Sequence, residues 1–337
     1  MEFCWNLPAF SSNSFNGIYE DTMNQAKRAE QMKFDQLLVP SVQKAADPWI
    51  VATQIASVTQ QIRILVAQNT NHMLPTVSAK ALTTLNNICN NRIDLNIVTG
   101  SSLIELSRDG NPMPHDVRYK RTNEYVEIIR KLREGPLSFD GEFYQLVNAD
   151  LFPKENMESF AQLFVAGSSK EAMQVAAKSG DVHIIYANSL EAVKEQSSFT
   201  KQLAKEYGRK VRFGMFIDII SRSTKDEAWN AAYDMVGKVP KIQRRKITMF
   251  LNNIDSVGHS NNRSFKKYDN FMVNQHVWGG LSQVSNAVSL SIVGSYEDVR
   301  STIKKYHACG VDYFLFSGSV GNNEIERIGE YILPYLR

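Results

Sequence analysis

Eight short β-rich runs alternate with amphipathic helical runs along the whole chain, and this alternation limits the fold more than any other feature. The strand-like runs cover residues 2–7, 36–40, 62–68, 93–99, 162–166, 182–186, 211–220 and 313–317. Several are nearly continuous apolar stretches, the pattern of strands buried on both faces of a parallel sheet. Helical patterns fall between them at 19–31, 48–59, 75–86, 121–133, 170–179, 190–207, 225–237 and 297–309, with a last one at 324–336. The expected fold class is therefore α/β, a (β/α)8 TIM barrel. A doubly wound open sheet is the alternative, but no Gly-x-Gly-x-x-Gly follows any strand.

Punctuation agrees with the helices. Proline opens two of them at Pro48 and Pro75, and Gly180, Gly208 and Gly310 stand where helices should stop. A chain of 337 residues is long for an average domain but ordinary for a barrel, and 43% apolar residues can fill its core. One domain over 1–337 is expected, with insertions at about 101–117, 137–160 and 238–290. Within the second, Asp140-Gly141 flanked by alternating apolar residues signals a β-hairpin. The third carries a polar stretch, 252–270, before the last strand and is expected to be a mobile lid.

A net charge of +3 with scattered basic residues shows no nucleic-acid footprint. No charged-then-apolar leader and no apolar run of about 18 residues is present, so a soluble cytoplasmic protein with no membrane contact is expected. Three separated cysteines give no disulfide framework. Six histidines without an i,i+4 pair, and no CxxC, leave no expected metal site. Nucleophile-elbow and Walker A motifs are absent as well.

Two stretches carry chemistry. The fourth strand ends in Asn96-Ile97-Val98-Thr99-Gly100, Glu105 follows, and Arg118-Tyr119 stand at the start of the next helix. An amide, a hydroxyl, a carboxylate, a guanidinium and a phenol thus gather at the C-terminal mouth of one βα unit, where barrels place their chemistry. The ring suits a large heteroaromatic cofactor better than a metal. The second stretch, Ala166-Gly167-Ser168-Ser169-Lys170, runs from a strand into a helix. Its free N–H groups and hydroxyls form a neutral phosphate cradle, its serines form a helix cap, or both. Asp218, inside an apolar strand, is either an ion-pair partner or a mouth residue facing substrate.

These residues resemble the bacterial luciferase-like flavin monooxygenases. The likeness rests on Asn96 to Gly100, Glu105, Asp109-Gly110, His115, Arg118-Tyr119 and Ala166 to Ser169, and continues through Asp255 to Gly258 and Val277 to Gly280. Within that family the chain is most similar to the alkanesulfonate monooxygenase branch. The resemblance implies reduced FMN (FMNH2) as cofactor, a separate NAD(P)H:FMN reductase as partner, and a small-molecule substrate oxidised with O2. It implies that Asn96, Thr99, Glu105, Arg118 and Tyr119 line the flavin and that Ser41 and Val42 lie beside its ring. Gly167, Ser168 and Ser169 would hold its phosphate, and a homo-oligomer, dimer or tetramer, is expected by analogy.

The departures concern the substrate half. Where the alkanesulfonate enzymes have Cys, Arg, His, Arg and Tyr, this chain has Ala45, Phe216, Asp218, Ser285 and Ser319. The lid lysine, Lys267, is kept. A carboxylate about 4 Å from a sulfonate repels it by roughly 4 kcal/mol at an effective dielectric of 20, so an alkanesulfonate substrate is not expected. Asp218 and Lys267 are the expected catalytic residues. The alternatives are a catalytically silent flavin-binding partner subunit and an F420-dependent oxidoreductase.

Overall fold

The computed structural model spans the chain and describes all residues except 10–14, 155–159, 252–253, 259–263, 286–289 and 320–322. Eight parallel strands close on themselves: β1 (Glu2–Asn6), β2 (Gln36–Val39), β3 (Arg63–Asn69), β4 (Ile93–Val98), β7 (Leu163–Ala166), β8 (Val182–Tyr186), β9 (Arg212–Arg222) and β12 (Tyr313–Ser317), with β12 pairing back to β1. The expected TIM barrel is the fold, and all eight strand-like runs of the sequence are its staves.

Alternation along each stave sorts the core into two shells. Cys4, Leu38, Leu65, Phe164, Ile184 and Leu315 fill the lumen. Residues of the opposite parity, such as Phe3, Leu37, Ile64, Leu95 and Val165, pack outward in the larger core shared with the helices. At the N-terminal end of the lumen the buried Asp94 carboxylate is held by the part-exposed Arg63. Arg63 grips Asp94 with two hydrogen bonds of 2.6 and 2.7 Å, and Gln36 Nε2 donates to the same carboxylate at 2.6 Å. The opposite end of the lumen, past the C-terminal ends of the strands, is the mouth where barrels place their chemistry.

The helices that shape that end are α4 (Leu103–Arg108), α5 (His115–Glu134), α6 (Lys170–Ser179) and α7 (Leu190–Glu206). Ser102 caps α4, Ser169 caps α6 and Ser189 caps α7, each hydroxyl accepting from an N–H of the first turn. The Asp-Gly hairpin forms as read, β5 (Leu137–Asp140) against β6 (Gln145–Ala149), its loop held by the Glu124 carboxylate, which accepts from the N–H groups of Glu142, Phe143 and Tyr144.

The long insertion departs from the sequence reading. Two strands were not foreseen, β10 (Val277–Trp278) within it and β11 (Ser291–Ser295) directly after it, antiparallel to each other. β9 makes room for them because it is eleven residues long and runs past the barrel rim, where residues from Asp218 to Arg222 take β11 as a parallel partner. The expected polar lid stretch, 252–270, lies partly outside the described residues. Its segment 254–258 is described and is seated on the rim: Ile254 bridges to Ser102, and Asp255 N–H donates to Ser101 C=O at 3.0 Å. Among the described residues no helix is long and apolar enough to cross a membrane.

Candidate active site

At the open end lies a cavity of about 220 Å³, walled by the turn after β4, the starts of α4 and α5, the turn after β7, and residues 255–257 of the insertion. Thr99, Glu105, Arg118, Tyr119, Gly167, Ser168, Ser169 and Ser41 all face it. The structure therefore brings together eight of the twelve residues singled out in the sequence.

The turn after β7 shows how tightly one wall is built. Gly167 has φ +144°, a conformation that L side chains rarely adopt. A Cβ there would also collide with the Tyr119 hydroxyl and lie 2.7 Å from Ala172 Cβ. Chain and phenol can touch only because this residue is glycine. Ser169 Oγ accepts from Ala172 N–H at 3.2 Å, so the capping role is real. The backbone N–H groups of Ser168 and Ser169 find no acceptor among the described residues. Two free donors at the N-terminus of a ten-residue helix favour an anion.

Tyr119 is almost fully buried, and burial raises its pKa against hydrogen bonds from Thr99 and Ser169, so the phenol stays protonated and can donate. Glu105 is half-buried, and burial, followed by the charge of Asp109, raises its pKa. Arg118 is fully buried but not free. Its guanidinium holds Asp255 with two bonds of 2.8 and 2.9 Å and donates to Met113 C=O at 2.6 Å. Among the described residues Arg118 is the only Lys or Arg on the cavity wall, and its guanidinium is already engaged.

The Arg118–Asp255 pair also ties insertion to barrel. Removing the carboxylate strands a buried guanidinium, which is far more costly than losing an exposed pair. Asp255→Ala should lower stability by about 2–4 kcal/mol, measured by urea unfolding without added ligand. A loss under about 0.5 kcal/mol, the scale of a surface pair, would show that the insertion is not latched this way.

Four of the residues singled out in the sequence lie off the cavity wall. Asn96 lies in the lumen two residues before Val98 on the same face, so it sits roughly 7 Å deeper than the cavity wall. Its Oδ1 is buried without a partner. Val42 is outside the cavity lining and is 36% exposed. Lys267 is exposed, with its ammonium over the Tyr268 ring, because the 3-10 turn Ser264–Lys267 turns it outward. Asp218 is completely buried, and its hydrogen bonds among the described residues come from serines rather than a cation. Its Oδ2 accepts from Ser317 Oγ (2.8 Å), Ser319 N–H (3.0 Å) and Ser319 Oγ (2.7 Å), while Oδ1 has no partner.

Two of the departures from the alkanesulfonate pattern are thus one feature, since Ser319 is the hydrogen-bond donor that Asp218 requires. Burial pushes Asp218 up to about 7 against these three bonds. At neutral pH it is only partly ionised, which weakens the expected repulsion of anions but supplies no positive partner for one.

Sequence reasoning left out Asn69 and Tyr186 on the cavity wall, and named Asp255 within the family likeness without giving it a site role. The first two close β3 and β8, and the rule that barrel chemistry sits at C-terminal strand ends would have found them. Asp255 meets Arg118 across 137 residues, and nothing local announces that. Among the described residues, His115, Asp116 and Glu171 bring potential metal ligand atoms within 4.8 Å of one another. His115 Nδ1 is already engaged with Asp116 at 3.0 Å, and exposed acidic groups often cluster so.

Comparison with known proteins agrees with this architecture. The family model described as luciferase-like monooxygenase matches residues 1–313. A riboflavin lyase, solved with modified FMN and its substrate riboflavin, superposes with a TM-score of 0.83 at 17% identity, covering 100% of this chain and 91% of the other. The EDTA monooxygenase of Chelativorans sp. BNC1 gives 0.81 at 16%, covering 100% and 93%. An F420-dependent secondary alcohol dehydrogenase in complex with an F420-acetone adduct gives 0.75 at 19%, covering 100% and 99%. At such identities these likenesses speak for the fold alone.

Proposed function

The chain belongs to the luciferase-like monooxygenase family, and on that premise we propose that it oxidises a small organic substrate with O2, using FMNH2 delivered by a separate NAD(P)H:FMN reductase. The observation that carries this reading is the turn after β7, where two unspent N–H groups, a glycine-only backbone and a protonated phenol meet. That donor set fits a phosphate tail. Ser168, Ser169 and Tyr119 would hold the phosphate, and Asn96, with its unpartnered Oδ1 below the cavity floor, would meet a ring reaching into the lumen. Reduced flavin would supply the electrons and activate oxygen, while the barrel orients it and excludes water.

At about 220 Å³ the cavity is smaller than the roughly 300–1,000 Å³ typical of ligand sites. Segment 254–258 would therefore have to lift for a whole flavin to enter, with Asp255 leaving Arg118. The wall then contributes Glu105 and Asp255 as acids, and Asp218 stands beyond it on the rim. This balance favours a neutral or amine-bearing substrate over an alkanesulfonate, and we read the chain as a relative of the alkanesulfonate branch with its substrate half rebuilt. We read the protein as cytoplasmic, and as a homo-oligomer because Ile50, Leu74, Val77 and Ile88 present exposed apolar side chains on or beside the helices Pro48–Val58 and Pro75–Ile88.

The test is oxygen uptake by the purified chain with NAD(P)H, FMN, a generic flavin reductase and a panel of amines. Uptake coupled to product, and only with both flavin and reductase present, is the expected result. Product without flavin, tighter binding of F420 than of FMNH2, or flavin binding with no turnover on any substrate would each overturn the reading.

A further inference from the structure

We propose that His183 is a positioning residue for the phosphate cradle: from the outer face of β8 it holds the Gly167 carbonyl, and thereby aims the Ser168 N–H into the cavity. This rests on reading residues 167–169 as the flavin phosphate site.

The geometry begins where the strand ladder ends. The last rung between β7 and β8 pairs Ala166 with Ile184, and Gly167 N–H still reaches Ile184 C=O at 3.0 Å. The Gly167 carbonyl lies past that rung, and none of the backbone hydrogen bonds seen among the described residues reaches it. His183 Nε2 meets it at 2.7 Å. A carbonyl only accepts, so Nε2 carries the proton, and Nδ1 is left to accept from Thr200 Oγ1 of α7 at 3.2 Å.

Both side chains of this relay are completely buried, and the Phe213 ring meets the imidazole edge to face at 5.3 Å. Burial also lowers the pKa of His183 to about 4, so one neutral tautomer persists across the working pH range.

The consequence for the cradle follows from peptide geometry. Among the described residues the only cis bond is Phe152-Pro153, so the Gly167–Ser168 peptide is trans and its C=O and N–H point in opposite directions. A carbonyl drawn outward, to the layer between β8 and α7, sends the Ser168 N–H inward to the cavity. The left-handed φ of Gly167 would otherwise leave this peptide free to flip, since a glycine imposes little torsional restraint of its own. A fully buried Thr–His pair is thus spent on one carbonyl, at the single turn where the backbone N–H direction matters for an anion.

Anaerobic titration of FMNH2 and reduced riboflavin separates this role from a general structural one, because only FMN carries the phosphate. Wild-type protein should prefer FMN, and His183→Leu should erase about tenfold to a hundredfold of that preference while leaving riboflavin affinity unchanged. His183→Gln, whose amide can still donate to Gly167 C=O, should recover most of it. If His183→Leu fails to fold, Thr200→Val serves, with an expected loss of about threefold to tenfold in the same ratio. A wild-type ratio in whichever of these variants folds overturns the positioning role alone. A wild-type protein without FMN preference removes the phosphate-site reading and this role with it.

Discussion

Gly167→Ala should abolish useful FMN binding, weakening it by about a hundredfold or more, while Gly110→Ala should leave it intact. Both glycines are left-handed, at φ +144° and +75°. They differ in what a methyl group would meet. Around Gly110 there is nothing within 4 Å, so alanine there costs only the backbone strain, about 1 kcal/mol. At Gly167 the methyl strikes the Tyr119 hydroxyl and sits 2.7 Å from Ala172 Cβ in the first turn of α6. The helix start cannot retreat, because its neighbours Met173 and Val175 are packed in the core. The turn must therefore move and take the Ser168 and Ser169 N–H groups with it. Strain and overpacking together come to about 3–4 kcal/mol. Fluorescence titration of both variants checks this, and equal affinity in Gly167→Ala and wild type would show that the turn is not the anion site.

The second large effect is a pH dependence. Asp218 titrates near 7 in the folded chain, raised from 3.8 chiefly by burial and further by Glu324, with the serine hydrogen bonds opposing. Between pH 4 and 7 the folded state holds more protons than the unfolded state, so the slope of unfolding free energy with pH is negative. Asp218 therefore costs nothing well below pH 4 and progressively destabilises the fold as the pH rises through that point, levelling off above about 7.

The full swing is on the order of 4 kcal/mol, from about three pKa units at 1.36 kcal/mol each. Asp218→Asn removes the titration and keeps the acceptor for Ser317 and Ser319. Its Nδ2 would meet the partnerless Oδ1 side, a penalty that does not vary with pH. The difference in stability between variant and wild type, from urea unfolding at pH 4 to 8, should shift towards the variant by several kcal/mol as pH rises. Parallel curves would place the Asp218 pKa near its ordinary value and return this carboxyl to the ionised state.

What the sequence disclosed follows from what is local. The barrel strands were legible because each stave is a short apolar run between helix punctuation marks, and both of its faces are buried. The turn after β7 was legible because Gly-Ser-Ser between strand and helix has a local mechanical meaning. β11 was missed although Ser291-Ile292-Val293-Gly294-Ser295 leads into a capping box at Ser295 and Asp298, since it follows a polar insertion and pairs with the overhang of β9 rather than with a stave. Asp218 could be flagged as costly but not explained. Its three bonds come from Ser317 and Ser319, about 100 residues away, which only barrel closure brings together. Lys267 was placed by family likeness alone, and the fold of its own short turn sends it to solvent. Asp255 belongs to the same class of long-range fact.

The central claim is that the barrel mouth takes a reduced flavin by its phosphate. A crystal structure of the chain with FMN tests it most directly. The phosphoryl oxygens should accept from the Ser168 and Ser169 N–H groups beside the Tyr119 phenol, with segment 254–258 displaced and Asp255 parted from Arg118. Flavin bound with its phosphate away from that turn, or the Arg118–Asp255 pair intact over an occupied mouth, would contradict the account.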